Sequence, residues 1–192
     1  MGGKGCCPDR KFIKIIDRLC PCCAEGMRDV LAQLDDVEVS IATIDANGPG
    51  GGDNNFVIGG IPGIDPIQNN LIVTGTVPGA GQDRRNAAFP ICNVVGIQTN
   101  NAEVSAILRE IELPQLEPDE VCDCCEDAAR SFLNRLVGQT VDIDTVNTRE
   151  GFNNLQNVTI DAVGKGTVRL TKGNQTWILN ICYISTIQQF TL

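Results

Sequence analysis

The chain of 192 residues contains no histidine. That removes the side chain whose ordinary pKa lies nearest neutrality, and with it His-dependent triads and most catalytic zinc sites. Aromatic residues are scarce at 4%, with one Trp and one Tyr; both Trp177 and Tyr183 are expected to pack in a C-terminal core. Long hydrophobic runs are also missing. Trp177 to Leu179 and Asn180 to Ile184 are among the longest, and polar residues break them, whereas a bilayer span needs about 20 apolar residues. Positive charge is in short supply, with 15 Lys and Arg against 24 Asp and Glu and a net charge of −9. Neither a membrane nor a nucleic-acid backbone is therefore expected as a partner.

Catalytic sets are equally thin. Gly59-Gly60-Ile61-Pro62-Gly63 lacks the lysine and the spacing of a phosphate loop. Asp142 and Asp144 alternate along one strand face, a pattern that suits solvated carboxylates better than paired acid–base groups. No enzyme is expected. The opening Met1-Gly2-Gly3-Lys4-Gly5-Cys6-Cys7 has a lysine but no apolar core behind it, so it does not read as a secretory signal and points to synthesis in a cytoplasm. Cys6 stands where a myristoylation motif wants Ser or Thr. The charge is uneven: residues 1–18 carry five basic and two acidic side chains, residues 102–127 one basic and nine acidic. A basic head and an acidic waist either attract one another between molecules or form two solvated faces.

What the chain has is ten cysteines, and their arrangement reveals an internal repeat. Cys20-Pro21-Cys22-Cys23 lies over Cys122-Asp123-Cys124-Cys125 at an offset of 102, and the match continues without a gap through Arg28 and Arg130, Leu31 and Leu133, Leu34 and Leu136, Val39 and Val141, and Ile41 and Ile143. Towards the end of each copy, Ile91-Cys92 matches Ile181-Cys182 and Ile97-Gln98 matches Ile187-Gln188 at an offset of 90. The first copy is 12 residues longer between these points, and Gly48 to Asp53, with its loop composition, reads as the insertion.

Each copy opens on a helical pattern. Cys125, Ala128, Ala129, Phe132, Leu133 and Leu136 recur at helix spacing, Glu126 and Asp127 fill the first turn, and Gly138 follows as a stop. Met27, Val30, Leu31 and Leu34 form the same stripe in the first copy. Alternating β-branched segments follow at Thr140 to Val146, Asn157 to Val163, Thr167 to Thr171 and Thr176 to Ile187, separated by turn residues, which predicts an antiparallel meander. Phe12 to Leu19 and Val104 to Leu113 read as short helices ahead of each cluster. The expected fold class is α+β, a tandem duplication of a helix followed by a small antiparallel meander. The boundaries are a basic Cys-bearing arm over 1–19, a first repeat over 20–101 with a Gly-rich insertion at 46–66, an acidic linker helix over 102–121 and a second repeat over 122–192.

Leu136 to Ile143, then Val158 to Val163, Thr167 to Leu170 and Trp177 to Ile184, resemble in pattern the small Sm-like barrel, and are most similar to the barrel-like units of structural proteins from Firmicute endospore coats and surfaces. The resemblance covers about half of each copy. It implies a five-stranded, strongly bent sheet behind each helix, with open edges that pair with neighbouring units.

Three cysteine chemistries compete. In the first, Cys6, Cys7, Cys20, Cys22, Cys23, Cys122, Cys124 and Cys125 cross-link; adjacent cysteines are poor partners for one another and reach for different ones. In the second, Cys20, Cys22, Cys23, Cys122, Cys124 and Cys125 hold zinc or an iron–sulfur cluster, although each Cys-x-Cys-Cys supplies three thiols where four ligands are usual. In the third, a thiol at a helix start is activated for redox exchange, although the Cys-x-x-Cys arrangement is absent. Cys92 and Cys182, inside apolar patterns, read as small buried hydrophobes. The favoured expectation is a subunit without a cofactor that assembles with copies of itself, and with other coat proteins, through edge strands and disulfides. It would be made in the reducing mother cell and cross-linked at the spore surface.

Overall fold

The computed structural model describes residues 21–44, 55–59, 65–68, 70–75, 87–117, 124–148 and 150–191. Cys6, Cys7, Cys20, Cys122, the helix expected at Phe12 to Leu19 and the stretch Gly48 to Asp53 lie outside them, as do the side chains of Cys22, Cys124 and Cys125. Helix α1 spans Pro21–Leu31 and is followed by strands β1 (Glu38–Thr43), β2 (Asn55–Ile58), β3 (Ile67–Gln68), β4 (Leu71–Gly75) and β5 (Ala87–Pro90). A 3-10 turn over Ile91–Asn93 leads into β6 (Val94–Thr99), and helix α2 covers Ala102–Glu110. Helix α3 (Cys124–Arg135) then precedes β7 (Thr140–Thr145), β8 (Leu155–Val163), β9 (Thr167–Lys172) and β10 (Gln175–Asn180). A second 3-10 turn over Ile181–Tyr183 enters β11 (Ile184–Gln188).

These strands form one open antiparallel sheet, ordered β11-β7-β8-β9-β10-β6-β1-β2-β4-β3, with β5 on the other edge of β4. This corrects the expected α+β tandem of two helix-plus-barrel units: the molecule is predominantly sheet, carries three short helices among the described residues, and its sheet runs through both halves of the sequence. The physical reason is edge use. A strand has two hydrogen-bonding edges, and β10 spends one on β9 and the other on β6, with Ile178 opposite Ile97 and Leu179 opposite Gly96. No edge of β10 remains to receive β11 and close a barrel.

Strand registers also relocate the extra residues of the first half. The β1–β2 pairing Glu38↔Val57 and the β7–β8 pairing Thr140↔Thr159 both keep the 102 offset, so the Gly48 to Asp53 stretch is not an insertion. The offset falls to 96 at β4 and β9, where Ile58↔Thr74 matches Ile160↔Leu170, and to 90 at β5 and β10. The additional residues therefore divide between the β2–β4 and β4–β5 connections. The second of these replaces the tight Gly173–Asn174 turn that joins β9 to β10.

Helix α1 buries Met27, Val30 and Leu31, which pack with Val39, Ile41, Val94, Ile97 and, from the other half, Ile178. Leu133, Leu136, Val141, Ile143, Trp177 and Leu179 form a second cluster, which takes in Cys23, Ala42 and Val95 from the first half. Trp177 is buried as expected and its indole N–H donates to Gly151 O at 2.8 Å; Tyr183 packs against the cluster and its hydroxyl donates to Cys92 O. Backbones touch across the halves too. A Cβ on Gly26 of α1 would stand 1.7 Å from Lys165 O, so only glycine allows the helix to lie this close to the β8–β9 turn.

The acidic segment after β6 is helical for less of its length than expected. Asn101 caps α2 by accepting from the amides of Glu103 and Val104, and the helix ends at Glu110. The chain then runs without regular structure past Pro114, whose carbonyl accepts from Lys165 N at 2.6 Å.

Candidate functional site

Cys23 lies in the first turn of α1, 1% exposed, on the face that also buries Met27 and Val30. Pro21 opens that helix, where a missing amide proton costs nothing. Cys182 is held in the 3-10 turn, its amide donating to Asn180 Oδ1 at 3.0 Å. The two sulfurs form a disulfide, with α-carbons 6.2 Å apart and a sequence separation of 159. Cys182 had been expected as a buried hydrophobe; it is half-buried and bonded. Cys92, expected to be the same, is exposed and carries a free thiol. Strand periodicity misled both assignments, because each residue sits in a 3-10 turn between strands rather than within one.

Glu126, in the first turn of α3, brings a carboxyl group to the disulfide: one oxygen of it and the sulfurs of Cys23 and Cys182 lie within 4.8 Å of one another. The residue is 2% exposed. Burial pushes its pKa up from 4.5 to about 7; the backbone amide of Cys23, Lys165 and Arg130 pull it down, and Asp127 adds to the rise. The Cys23 amide faces the carboxylate, but among the described residues neither oxygen has a partner with hydrogen-bond geometry, and Arg130 Nε is also buried without one. Arg130 instead directs its Nη2 to Asp127 at 3.0 Å. Lys165 reaches Glu25 at 2.6 Å, tying the β8–β9 turn to α1 beside the bond.

The sequence had assigned Cys23 to the cross-linking set, and the structure bonds it to a cysteine outside that set. Glu126 was read only as a helix-start acid, since nothing in the sequence marks it as buried. As a carboxylic acid it can hydrogen-bond and supply a proton; as a carboxylate it is costly where it stands. Reduction of the neighbouring bond would give two thiols beside it, and these three side chains could then offer two sulfurs and one oxygen to a metal ion. Among the described residues no fourth protein ligand joins them.

Two further cavities among the described residues are open. A polar one of about 380 Å³ lies between β1, β6 and the start of α2, lined by Ser40, Gln98, Asn100 and Asn101. An apolar groove of about 290 Å³ runs between α3 and β11, lined by Phe132, Leu133, Ile184 and Ile187. No helix among the described residues is long and apolar enough to cross a membrane. Comparison of the chain with protein-family models, with curated proteins and with solved structures gave no match.

Proposed function

We propose that this chain is a self-assembling structural subunit of a disulfide-cross-linked filament or lattice at a bacterial endospore surface. The observation that carries the assembly reading is the open sheet, which leaves β11 paired only with β7 among the described strands and β5 paired only with β4. Natural sheets usually blunt such edges with charge, proline or a covering element. Strand β11, Ile184-Ser185-Thr186-Ile187-Gln188, has no charged residue and no proline.

The cysteine content supports covalent locking. Cys23–Cys182 joins helix α1 to the 3-10 turn before β11, from opposite halves of the sequence, and further thiols in the Cys-x-Cys-Cys clusters and at Cys6 and Cys7 would join molecules. Synthesis in a reducing mother cell and oxidation after its lysis would let assembly precede bonding. The endospore assignment rests on the resemblance in sequence pattern alone.

Air-oxidised protein is expected to scatter light as large particles and to ladder on non-reducing gels, collapsing only in denaturant with reductant. A monomer in both assays would sink the proposal. A second reading rests on the three donors at Cys23, Cys182 and Glu126: the reduced chain would bind zinc, with water or another cysteine as fourth ligand. It requires one equivalent of zinc in protein purified under reductant, lost in Glu126→Gln with Cys182→Ser.

A further inference from the structure

The two halves of the sequence meet at a junction within the molecule, and the parts of that junction occur a second time, apart from each other, at the unpartnered strands. Inside the chain, β6 pairs with β10 through Gly96↔Leu179, Ile97↔Ile178 and Gln98↔Trp177, and Cys23–Cys182 closes the contact beside them. The 102 offset carries Cys23 to Cys125, in the first turn of α3. The 90 offset carries Cys92 to Cys182, Ala87 to Phe89 of β5 onto Trp177 to Leu179, and Gly96 to Gln98 onto Thr186 to Gln188 of β11. We propose that a second copy of this chain docks head to tail, its β5 pairing with β11 in the register Phe89↔Thr186, Ala88↔Ile187 and Ala87↔Gln188. Cys125 of the first molecule then bonds Cys92 of the second. The inference rests on the assembly reading above and specifies its contact.

Register supports it first. Strand β11 lies on β7 as β6 lies on β1: Thr145↔Ile184, Asp144↔Thr186, Ile143↔Ile187 and Asp142↔Gln188 repeat Thr43↔Val94, Ala42↔Gly96, Ile41↔Ile97 and Ser40↔Gln98, including the one-residue shift. The outer edge of β11 is thus laid out as the edge of β6 that receives β10. Burial supports it second. Val94, Val95 and Ile97 are 0% exposed, whereas Ile184 and Ile187 are only half-buried and Ser185 is exposed. In the same way Ile178 is fully buried and its match, Ala88, is exposed.

The apolar groove supplies a third, separate observation. Its linings Phe132, Leu133, Ile184 and Ile187 match Val30, Leu31, Val94 and Ile97, which share one buried cluster with Ile178 from across the internal junction. Burying that groove under an incoming strand would repeat the apolar contact already made once. Two differences are accommodated. Pro90 cannot donate a hydrogen bond, but the internal pairing ends at Leu179, one residue short of the matching Asn180. Thr186 replaces Gly96, where a Cβ would stand 2.6 Å from the Leu179 side chain and 2.9 Å from Ile178 O; the residue opposite Thr186 is Phe89, whose ring packs edge-on to Phe56 in its own half at 5.0 Å, and the incoming backbone need lie only a few tenths of an ångström further out than β10 lies on β6.

The cross-link forms by exchange with a low-molecular-weight disulfide. Cys92 and Cys125 lose two protons and two electrons, one S–S bond forms, and the reagent leaves as two thiols. Because the contact joins different surfaces on the two copies, it repeats head to tail, giving a filament where successive rotations do not close and a ring where they do.

The test mixes isotope-labelled and unlabelled chains, oxidises them with glutathione disulfide and maps cross-linked peptides by mass spectrometry. A Cys92–Cys125 peptide of mixed isotope origin is expected. Ser185→Lys, at a position exposed in the monomer that matches the fully buried Val95 of the internal junction, is expected to reduce particle size at least tenfold while leaving the near-ultraviolet circular dichroism of Trp177 unchanged. Large particles joined only through other cysteines, and still formed by Ser185→Lys, would overturn this contact and leave the assembly proposal standing. A Cys92–Cys125 peptide found only within single chains overturns it as well. Failure of the wild-type chain to assemble removes both.

Discussion

At the residue scale, two positions show how a neighbour from the other half gives a side chain its meaning. Gly26 lies on α1 against the Lys165 carbonyl, where an added methyl group would fall 1.7 Å away. Gly26→Ala must therefore push the helix off the β8–β9 turn and is expected to cost about 3 kcal/mol in urea unfolding. Its match in the second half is Ala128, so the sequence comparison gives no reason to single it out. Glu126 is the other position. Its pKa of about 7 in the fold, against 4.5 ordinarily, means the folded state holds the proton more tightly than the unfolded chain. Its contribution to stability is then fully present below pH 4.5 and is lost as pH rises through 7, because a buried carboxylate must be maintained. Allowing for residual screening, the decline attributable to this group is roughly 2 kcal/mol. Glu126→Gln should flatten that part of the profile and be the more stable protein at pH 8; a variant that loses stability equally at pH 5 and pH 8 would contradict this.

At the element scale, the disulfide constrains most strongly. It closes a loop with a sequence separation of 159 residues, which in the chain-entropy treatment is worth up to about 5 kcal/mol through the unfolded state. Cys182→Ser is expected to lower the urea midpoint, with a loss of about 3–5 kcal/mol, while Cys92→Ser should leave the isolated monomer unchanged. Much of this scale was legible in the sequence. The period of Phe132, Leu133 and Leu136 gives α3, and the alternating segments fall on β7 to β10. Their turns are marked by Gly166, at φ 63°, and Gly173, at φ 57°. The bond itself was not legible: hydropathy treats Cys182 as another apolar residue, and its partner lies at the far end of the chain.

At the scale of the whole molecule, the halves share more than a link. Val95 and Ala42 belong to the cluster around Trp177, and Ile178 belongs to the cluster around Met27. Arg169 bridges as well, donating to Ile111 O at 2.7 Å. The reduced monomer is accordingly expected to unfold in one transition, with amides of β6 and β10 exchanging at the same rate as those of β1 and β8. Two resolved transitions, with one half exchanging first, would argue for independent units. The expectation of two separate helix-plus-barrel modules failed at this scale, because it took each half to satisfy its own strand edges.

Sequence alone determined the positions of α3 and of β7 to β9, the recurrence of Cys-x-Cys-Cys at a fixed offset, the lack of histidine chemistry and the acidic net charge. These depend on residue type and near-neighbour spacing. Tertiary structure decided that β10 gives its second edge to β6, that Cys23 reaches Cys182, and that Glu126 is a buried acid rather than a solvated one. Each of those is a contest between partners distant in the chain, settled by which edge is free and which surface is covered, and no local pattern encodes the outcome.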